Sequence, residues 1–403
     1  MLPLFSANAH VIEPPHVFEG RVARKWSDRA PRLTPRDGGG EHWLFEGRVA
    51  ALSRTCTMAG ARDRGWWSDL SAFGDFVSLE ELRPGCSDAR ERVRDMDQDG
   101  IVVAACTSSP AGMGFGGEFF SYAREPELGL ACMRAWNDWY YEEWVSRAPD
   151  RFAPVGCAWY LDPAEAAREV LRNAERGFRA VALRNPTDLA QPWLGTGHWD
   201  PLLRACEDTG TVIVHHTEAL PWFPRREAFP RNPFPYGMTL TLYQACAMDF
   251  VAACLWGGVC VRFPRLKIVV TESGGSWLPH FLRRLDWTRG HSIFTRDGWP
   301  DDQLSPLEML QRSFAFSTQE LDVAVELERD LGLNMWMVED DYPHIESAFP
   351  ESGRMIANEL AKLPFDLANR IAWKNASEIF RFPVPQGLPA AAPRAPATPT
   401  GET

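Results

Sequence analysis

The chain has no run of about 18 apolar residues, so no segment is expected to cross a membrane as a helix. It also lacks any Lys/Arg-rich run. Its 42 basic residues face 54 acidic ones, for a formal net charge of −12. Nucleic acids and anionic membranes repel such a chain, so neither is an expected partner. The opening MLPLFSANAH has neither a basic segment nor a long apolar core, which argues against a secretory leader and for the cytoplasm. Cys56, Cys86, Cys106, Cys132, Cys157, Cys206, Cys246, Cys254 and Cys260 form no C-x-x-C pair. Their odd number and apolar neighbours point to reduced, buried thiols rather than a disulfide framework or a thiolate metal site. No glycine-rich turn follows the first apolar run, which removes the dinucleotide-binding fingerprint.

What is present is enough for one large core or two ordinary ones: 403 residues, 45% of them hydrophobic. The 17 tryptophans exceed what packing alone asks for and suggest an aromatic-walled pocket or a subunit interface as well. Eight short apolar runs recur along the chain: 2–7, 101–106, 152–158, 179–184, 211–215, 266–271, 313–317 and 334–338. Helical patterns separate them. Met133, Trp136, Tyr140 and Trp144 share one face at steps of three and four. Asp162-Pro163 and Asp200-Pro201 read as helix starts, and Gly177 and Gly210 as the matching stops. Continuously apolar strands alternating with amphipathic helices imply a parallel sheet covered by helices, and eight of them imply a closed (β/α)8 TIM-type barrel. A doubly wound open sheet is the alternative.

Two connections are too long for plain barrel loops. Residues 11–100 follow the first strand and 216–255 the fifth, so both are read as lid and pocket insertions within a barrel spanning 1–382. The Trp and Phe residues of 221–234 are expected to line the pocket. The Pro/Ala-rich tail, 383–403, cannot bury apolar area and is read as disordered or as an arm to a partner subunit.

Polar residues cluster at the strand ends. The first strand ends in Asn8-Ala9-His10, the fifth in His215-His216, and the eighth in Glu339-Asp340-Asp341. In a barrel these ends converge on one mouth. Two imidazoles and a carboxylate make a site suited to Zn²⁺, with Mn²⁺ as the alternative. Arg184 ends the fourth strand and could bind a substrate carboxylate through its planar fork or simply pair with a neighbouring acid. Cys106 reads as packing, and Trp277 as packing the helix after the sixth strand.

Five stretches carry a resemblance: SANAHVIEPP (6–15), RPGCSDARERVRDMDQDGI (83–101), VRFPRLKIVVTESGGSWLPHFLRRLD (261–286), MVEDDYPHIESAFPES (337–352) and KNASEIF (374–380). Through them the chain resembles the amidohydrolase-related family of metal-dependent hydrolases and decarboxylases, in the branch that includes aminocarboxymuconate-semialdehyde decarboxylase. The resemblance implies a distorted (β/α)8 barrel. It places the family's acid-x-His motif on Asn8 and His10, its strand-five histidine on His215, and its strand-eight aspartate on Asp341. Two departures stand out. Asn8 takes the place of an aspartate found in many relatives, and Glu272 takes the place of a strand-six histidine.

An amide is a neutral, weaker ligand than a carboxylate. The expected ligands are therefore His10, His215 and Asp341, with Asn8 a weak fourth ligand or a donor just behind them. Alternatively Glu272 replaces the lost carboxylate, or the site binds no metal. Glu272 and Asp341 are the expected acid/base groups. Arg184, His216, Glu339 and His344 are the candidate substrate contacts, against readings of His216 as structural or a pocket wall, of Glu339 as part of a buried ion pair and of His344 as stabilising its turn, the turn and structural readings being preferred for the two histidines.

The reading that follows is a metal-dependent hydrolase or decarboxylase for a small organic acid or an aromatic or cyclic metabolite, with hydrolysis slightly favoured because the strand-six histidine is missing. A lyase or cyclase working by acid/base chemistry with little or no metal is the second reading, and a non-catalytic binding protein the third. A homodimer is expected from the aromatic content and the resemblance.

Overall fold

The computed structural model describes residues 2–62, 76–217, 234–291, 298–301, 303–319, 321, 331 and 335–385. The strands in chain order are β1 (Phe5–Val11), β2 (Arg32–Pro35), β3 (Glu41–Phe45), β4 (Arg48–Ala51), β5 (Val103–Ser108), β6 (Phe152–Cys157), β7 (Ala180–Ala182), β8 (Val212–His216), β9 (Ile268–Thr271), β10 (Phe314–Thr318) and β11 (Trp336–Val338). Eight of them form one sheet in the order β1-β5-β6-β7-β8-β9-β10-β11, and every neighbouring pair is parallel. Each of these staves is buried along its whole length. That double burial is why the runs are continuously apolar, with one face on the barrel interior and the other on the helices. All eight expected strands are present, shifted by a few residues. The sheet is a (β/α)8 barrel.

The helices between staves include α1 (Ala89–Asp99), α2 (Pro126–Trp139), α3 (Pro163–Glu175), α4 (Asp200–Thr209), α5 (Phe234–Trp256), α6 (Val259–Arg262), α7 (Leu278–His291), α8 (Pro306–Ser313) and α9 (Ser352–Leu360). Asp162 caps α3 by accepting from Ala164 and Glu165 N–H. Asp200 does not repeat that device. It is already inside α4, and its carboxylate accepts from Arg262 instead. Trp277 is buried and its indole donates to Ser273 O at 2.9 Å, packing the α7 side of β9 as expected. Among the described residues no helix is long and apolar enough to cross a membrane.

The 11–100 connection contains an antiparallel sheet, β2-β3-β4, and α1. Residues 63–75 and 218–233 of the two long connections, and the tail beyond 385, lie outside the described residues, so the reading of 221–233 as pocket lining and of the tail as disordered falls there. All nine cysteines are free, and eight are buried.

The seam between β1 and β11 positions the site. No ladder joins these staves, but at their C-terminal ends Asp341 N–H donates to Asn8 O at 3.0 Å and His10 N–H donates to Tyr342 O at 2.8 Å. Arg92 of α1, almost fully buried, donates to His10 O at 2.6 Å and Gly85 O at 2.7 Å. The 83–101 stretch thus holds the end of β1. In the 374–380 stretch, Asn375 donates to Trp336 O at 2.9 Å under β11.

Candidate metal centre

The chemistry-bearing side chains meet where the staves end. His10 Nε2 lies 3.0 Å from Asp341 Oδ1, and His344 Nδ1 lies 3.4 Å from the same oxygen. Asn8 Nδ2 donates to it at 3.2 Å. One donor atom each from His10, Glu272, Asp341 and His344 fall within 4.8 Å of one another. His216 closes the group: its Nε2 is 3.3 Å from Asn8 Nδ2 and 3.5 Å from Glu272 Oε2. The rings pack as well. His344 stacks on His10 at 3.8 Å between centroids, and Phe115 stacks on His216 at 3.7 Å.

Second partners orient each imidazole. His10 Nδ1 lies 3.0 Å from Thr107 Oγ1 and 3.3 Å from Ser108 O, and His216 Nδ1 faces Thr217 O. A carbonyl only accepts, so Nδ1 carries the proton and Nε2 presents its lone pair to the cluster. His344 is held the other way round, with Nε2 2.9 Å from Ser109 Oγ.

Both carboxylates sit on unusual backbone. Glu272 has φ of +52° and Asp341 of +50°. Non-glycine residues rarely adopt this left-handed region, which costs about 1–2 kcal/mol. The seam bonds hold Asp341 there. The Glu272 N–H is held by Glu339 Oε2 at 3.1 Å, while Ser317 donates to the same oxygen. Glu339 therefore braces Glu272 from behind, and burial pushes its own carboxyl up to about 8.

Burial, reinforced by the neighbouring Asp341 and Glu346 carboxylates, drives the Glu272 carboxyl well above the usual range. Burial also raises Asp341, but His344 and His10 beside it outweigh that and hold it well below. Burial lowers His10 to about 4 and pushes His216 well below its ordinary value, so both imidazoles are neutral. Asn8 Oδ1, Glu272 Oε1 and Asp341 Oδ2 are buried without hydrogen-bond partners. Neutral imidazole nitrogens and ionisable carboxylates gathered within 4.8 Å, with each carboxylate keeping a buried oxygen without a hydrogen-bond partner, are the donor set of a divalent cation, so the residues fit one.

Of the residues expected here, Asn8, His10, Asp341, Glu272, His216 and His344 come together. His215 does not. Neighbouring residues on a strand face opposite sides, and His215 faces α5. Its ring stacks on Phe250 at 3.7 Å, its Nδ1 donates to Leu183 O at 3.0 Å, and its Nε2 meets Cys246 Sγ at 3.6 Å. The stave-five imidazole of the cluster is His216, one residue later. Arg184 is engaged by protein acids, Glu118 at 3.1 Å and Asp188 at 3.8 Å. Ser109 and Phe115 were not anticipated. The signal for them is the glycine-rich GMGFGG (112–117) just after β5, a tight loop at the mouth.

Comparisons with known proteins address the family and the fold. A family model described as Amidohydrolase matches residues 66–382. A curated 2-amino-3-carboxymuconate-6-semialdehyde decarboxylase from Dictyostelium discoideum is 25% identical over 217 residues, covering 52% of this chain and 54% of that protein. The chain thus spans about half the length of that relative. An amidohydrolase structure from Mycobacterium avium subsp. paratuberculosis superposes with a TM-score of 0.73 at 21% identity, covering 94% of this chain and 99% of that one. For 5-carboxyvanillate decarboxylase from Sphingomonas paucimobilis the TM-score is 0.66 at 24% identity, with 95% and 100% covered. For a dihydroxybenzoic acid decarboxylase from Polaromonas, solved with manganese and 2-nitroresorcinol, it is 0.62 at 16%, with 94% and 97% covered. Identities at this level establish a shared fold.

Proposed function

The chain belongs to the amidohydrolase family, and from that premise we propose that it is a metal-dependent decarboxylase of a small aromatic or conjugated carboxylic acid. The observation that carries the proposal is the buried meeting of His10, His216, Asp341, Glu272 and Asn8, in which Asn8 Oδ1, Glu272 Oε1 and Asp341 Oδ2 have no hydrogen-bond partner. The decarboxylases among the similar proteins support the choice of reaction, and they move the weight from hydrolysis, which the missing stave-six histidine favoured, to loss of CO2.

In this reading His10, His216 and Asp341 would hold the divalent ion, with Asn8 a weaker ligand. A divalent ion held there would supply the positive charge that a substrate carboxylate and the electrons left behind by CO2 call for. The chain does the rest. The Nδ1–H bonds of His10 and His216 fix the rings so that they do not turn during the reaction. Glu272, whose N–H is held by Glu339, presents its carboxyl to the cluster, with Oε2 3.5 Å from His216 Nε2, where it can hand a proton to the carbon that loses CO2. The Phe115 ring over His216 keeps water from that side.

Hydrolysis is the second reading, favoured by the carboxylate at position 272, which could take a proton from an attacking water. One experiment separates the two. Protein loaded with Mn²⁺ or Zn²⁺ is given a panel of hydroxybenzoic and related acids alongside lactones and amides. The proposal expects CO2 release from an acid, lost on chelation and restored by metal. Turnover of esters or amides without CO2 release contradicts it.

A further inference from the structure

The loop Ser109–Phe115 (SPAGMGF) leaves β5 with a different contact at each end. Ser109 Oγ meets His344 Nε2 at 2.9 Å, and the Phe115 ring lies on His216 at 3.7 Å. Those imidazoles come from segments far apart in sequence, and the loop touches both. Its own turn is tight: Gly112 and Gly114 N–H both donate to Ser109 O, at 2.9 and 3.0 Å, and Gly114 has φ of +75°.

The middle of this loop rests on Glu13. That residue is fully buried, three residues beyond His10 on the segment leaving β1. Its Oε1 accepts the Trp136 indole N–H of α2 at 2.8 Å. Its Oε2 has no hydrogen-bond partner and lies over Gly112, where an added Cβ would come within 1.7 Å of it. Any larger residue at 112 would force the Glu13 carboxylate to shift. The cluster geometry does not use Glu13 directly, and simple core packing would favour an apolar side chain over a buried acid with one oxygen unpaired.

We infer that Glu13 is a positioning residue: clamped by Trp136 and seated on Gly112, its carboxylate fixes the Ser109–Phe115 loop and through it the placement of His344 and His216 around the cation. The inference rests on the metal reading of the cluster. The segment that delivers His10 thereby also sets the other two imidazoles, which registers three chain segments to one point. Supports of this kind are worth about 10–100-fold in metal affinity or activity when removed.

The test uses the full chain carrying Gly112→Ala, Glu13→Ala and Glu13→Gln, with two readouts. Mn²⁺ affinity is measured by chelator competition. Imidazole Cε1–H NMR signals are recorded on metal-free protein. The inference expects Gly112→Ala and Glu13→Ala to lower affinity about 10–100-fold and to shift the His216 and His344 signals but not that of His215. Glu13→Gln, which can keep the indole bond, stays near wild type. Should Gly112→Ala not fold, Trp136→Phe removes the clamp by another route with the same expected shifts. Unmoved His216 and His344 signals in these variants overturn the inference, whatever the metal does. If wild type binds no ion but the two signals still move, the metal reading falls and the positioning role stands.

Discussion

Replacing Asn8 by aspartate tests whether this residue faces a divalent ion. In the native chain Asn8 Nδ2 donates to Asp341 Oδ1 at 3.2 Å, both residues being fully buried. Asn8→Asp removes that bond, worth about 1 kcal/mol, and sets a second carboxylate against the first. Two unit charges about 4 Å apart repel by about 4 kcal/mol at an effective dielectric of about 20. A divalent ion between them cancels the repulsion and gains an anionic ligand in place of an amide. The metal-free variant is therefore destabilised and the metal-loaded one largely spared. At about 1.4 kcal/mol per tenfold, the affinity gain has a ceiling of about a thousandfold. Thermal unfolding of wild type and variant, in chelator and in saturating Mn²⁺, reads the effect as a widened gap between the two midpoints, and chelator competition reads it as affinity. Equal destabilisation in both conditions, with unchanged affinity, would mean that Asn8 does not face the ion, and the reasoning would fail.

Other consequences follow from buried charge. Burial raises the Glu13 carboxyl from 4.5 to about 7, so the fold disfavours its ionised form. Its contribution to stability is fully present below pH 4.5 and is lost as pH rises to 7. Such a rise corresponds to about 3 kcal/mol, so Glu13→Gln should flatten the urea-unfolding stability profile over that window by about this amount, and a profile parallel to wild type would refute the assignment. Arg184→Met leaves the part-buried Glu118 beside Asp188 without its countercharge, and should cost about 1–3 kcal/mol in urea unfolding. Native stability in that variant would show the pair to be dispensable.

The sequence made the barrel easy to read because a stave buried on both faces is apolar at every position, and eight such runs separated by helical patterns leave few alternatives. The same double burial hid the register of the fifth stave. His215 and His216 both lie in a run with no polar face, so alternation could not say which one met the mouth and which met α5. Asn8, His10 and Asp341 were legible because polar side chains closing apolar strands are costly unless used. His344 was harder to place, since a histidine in the turn after β11 carries no periodicity. Ser109, Phe115 and the seat of Glu13 on Gly112 are contacts between segments about 100 residues or more apart, or between side chain and bare backbone, and no local pattern encodes them. The hairpin sheet β2-β3-β4 lay inside a connection read only as a long insertion.

The central claim is that one divalent cation sits among His10, His216 and Asp341. Anomalous scattering from a crystal of the protein soaked in Mn²⁺ tests it most directly. The account predicts a single strong peak in bonding contact with His10 Nε2, His216 Nε2 and an Asp341 oxygen. A peak bonded to His215, or no peak in this cluster at full soaking, would contradict it.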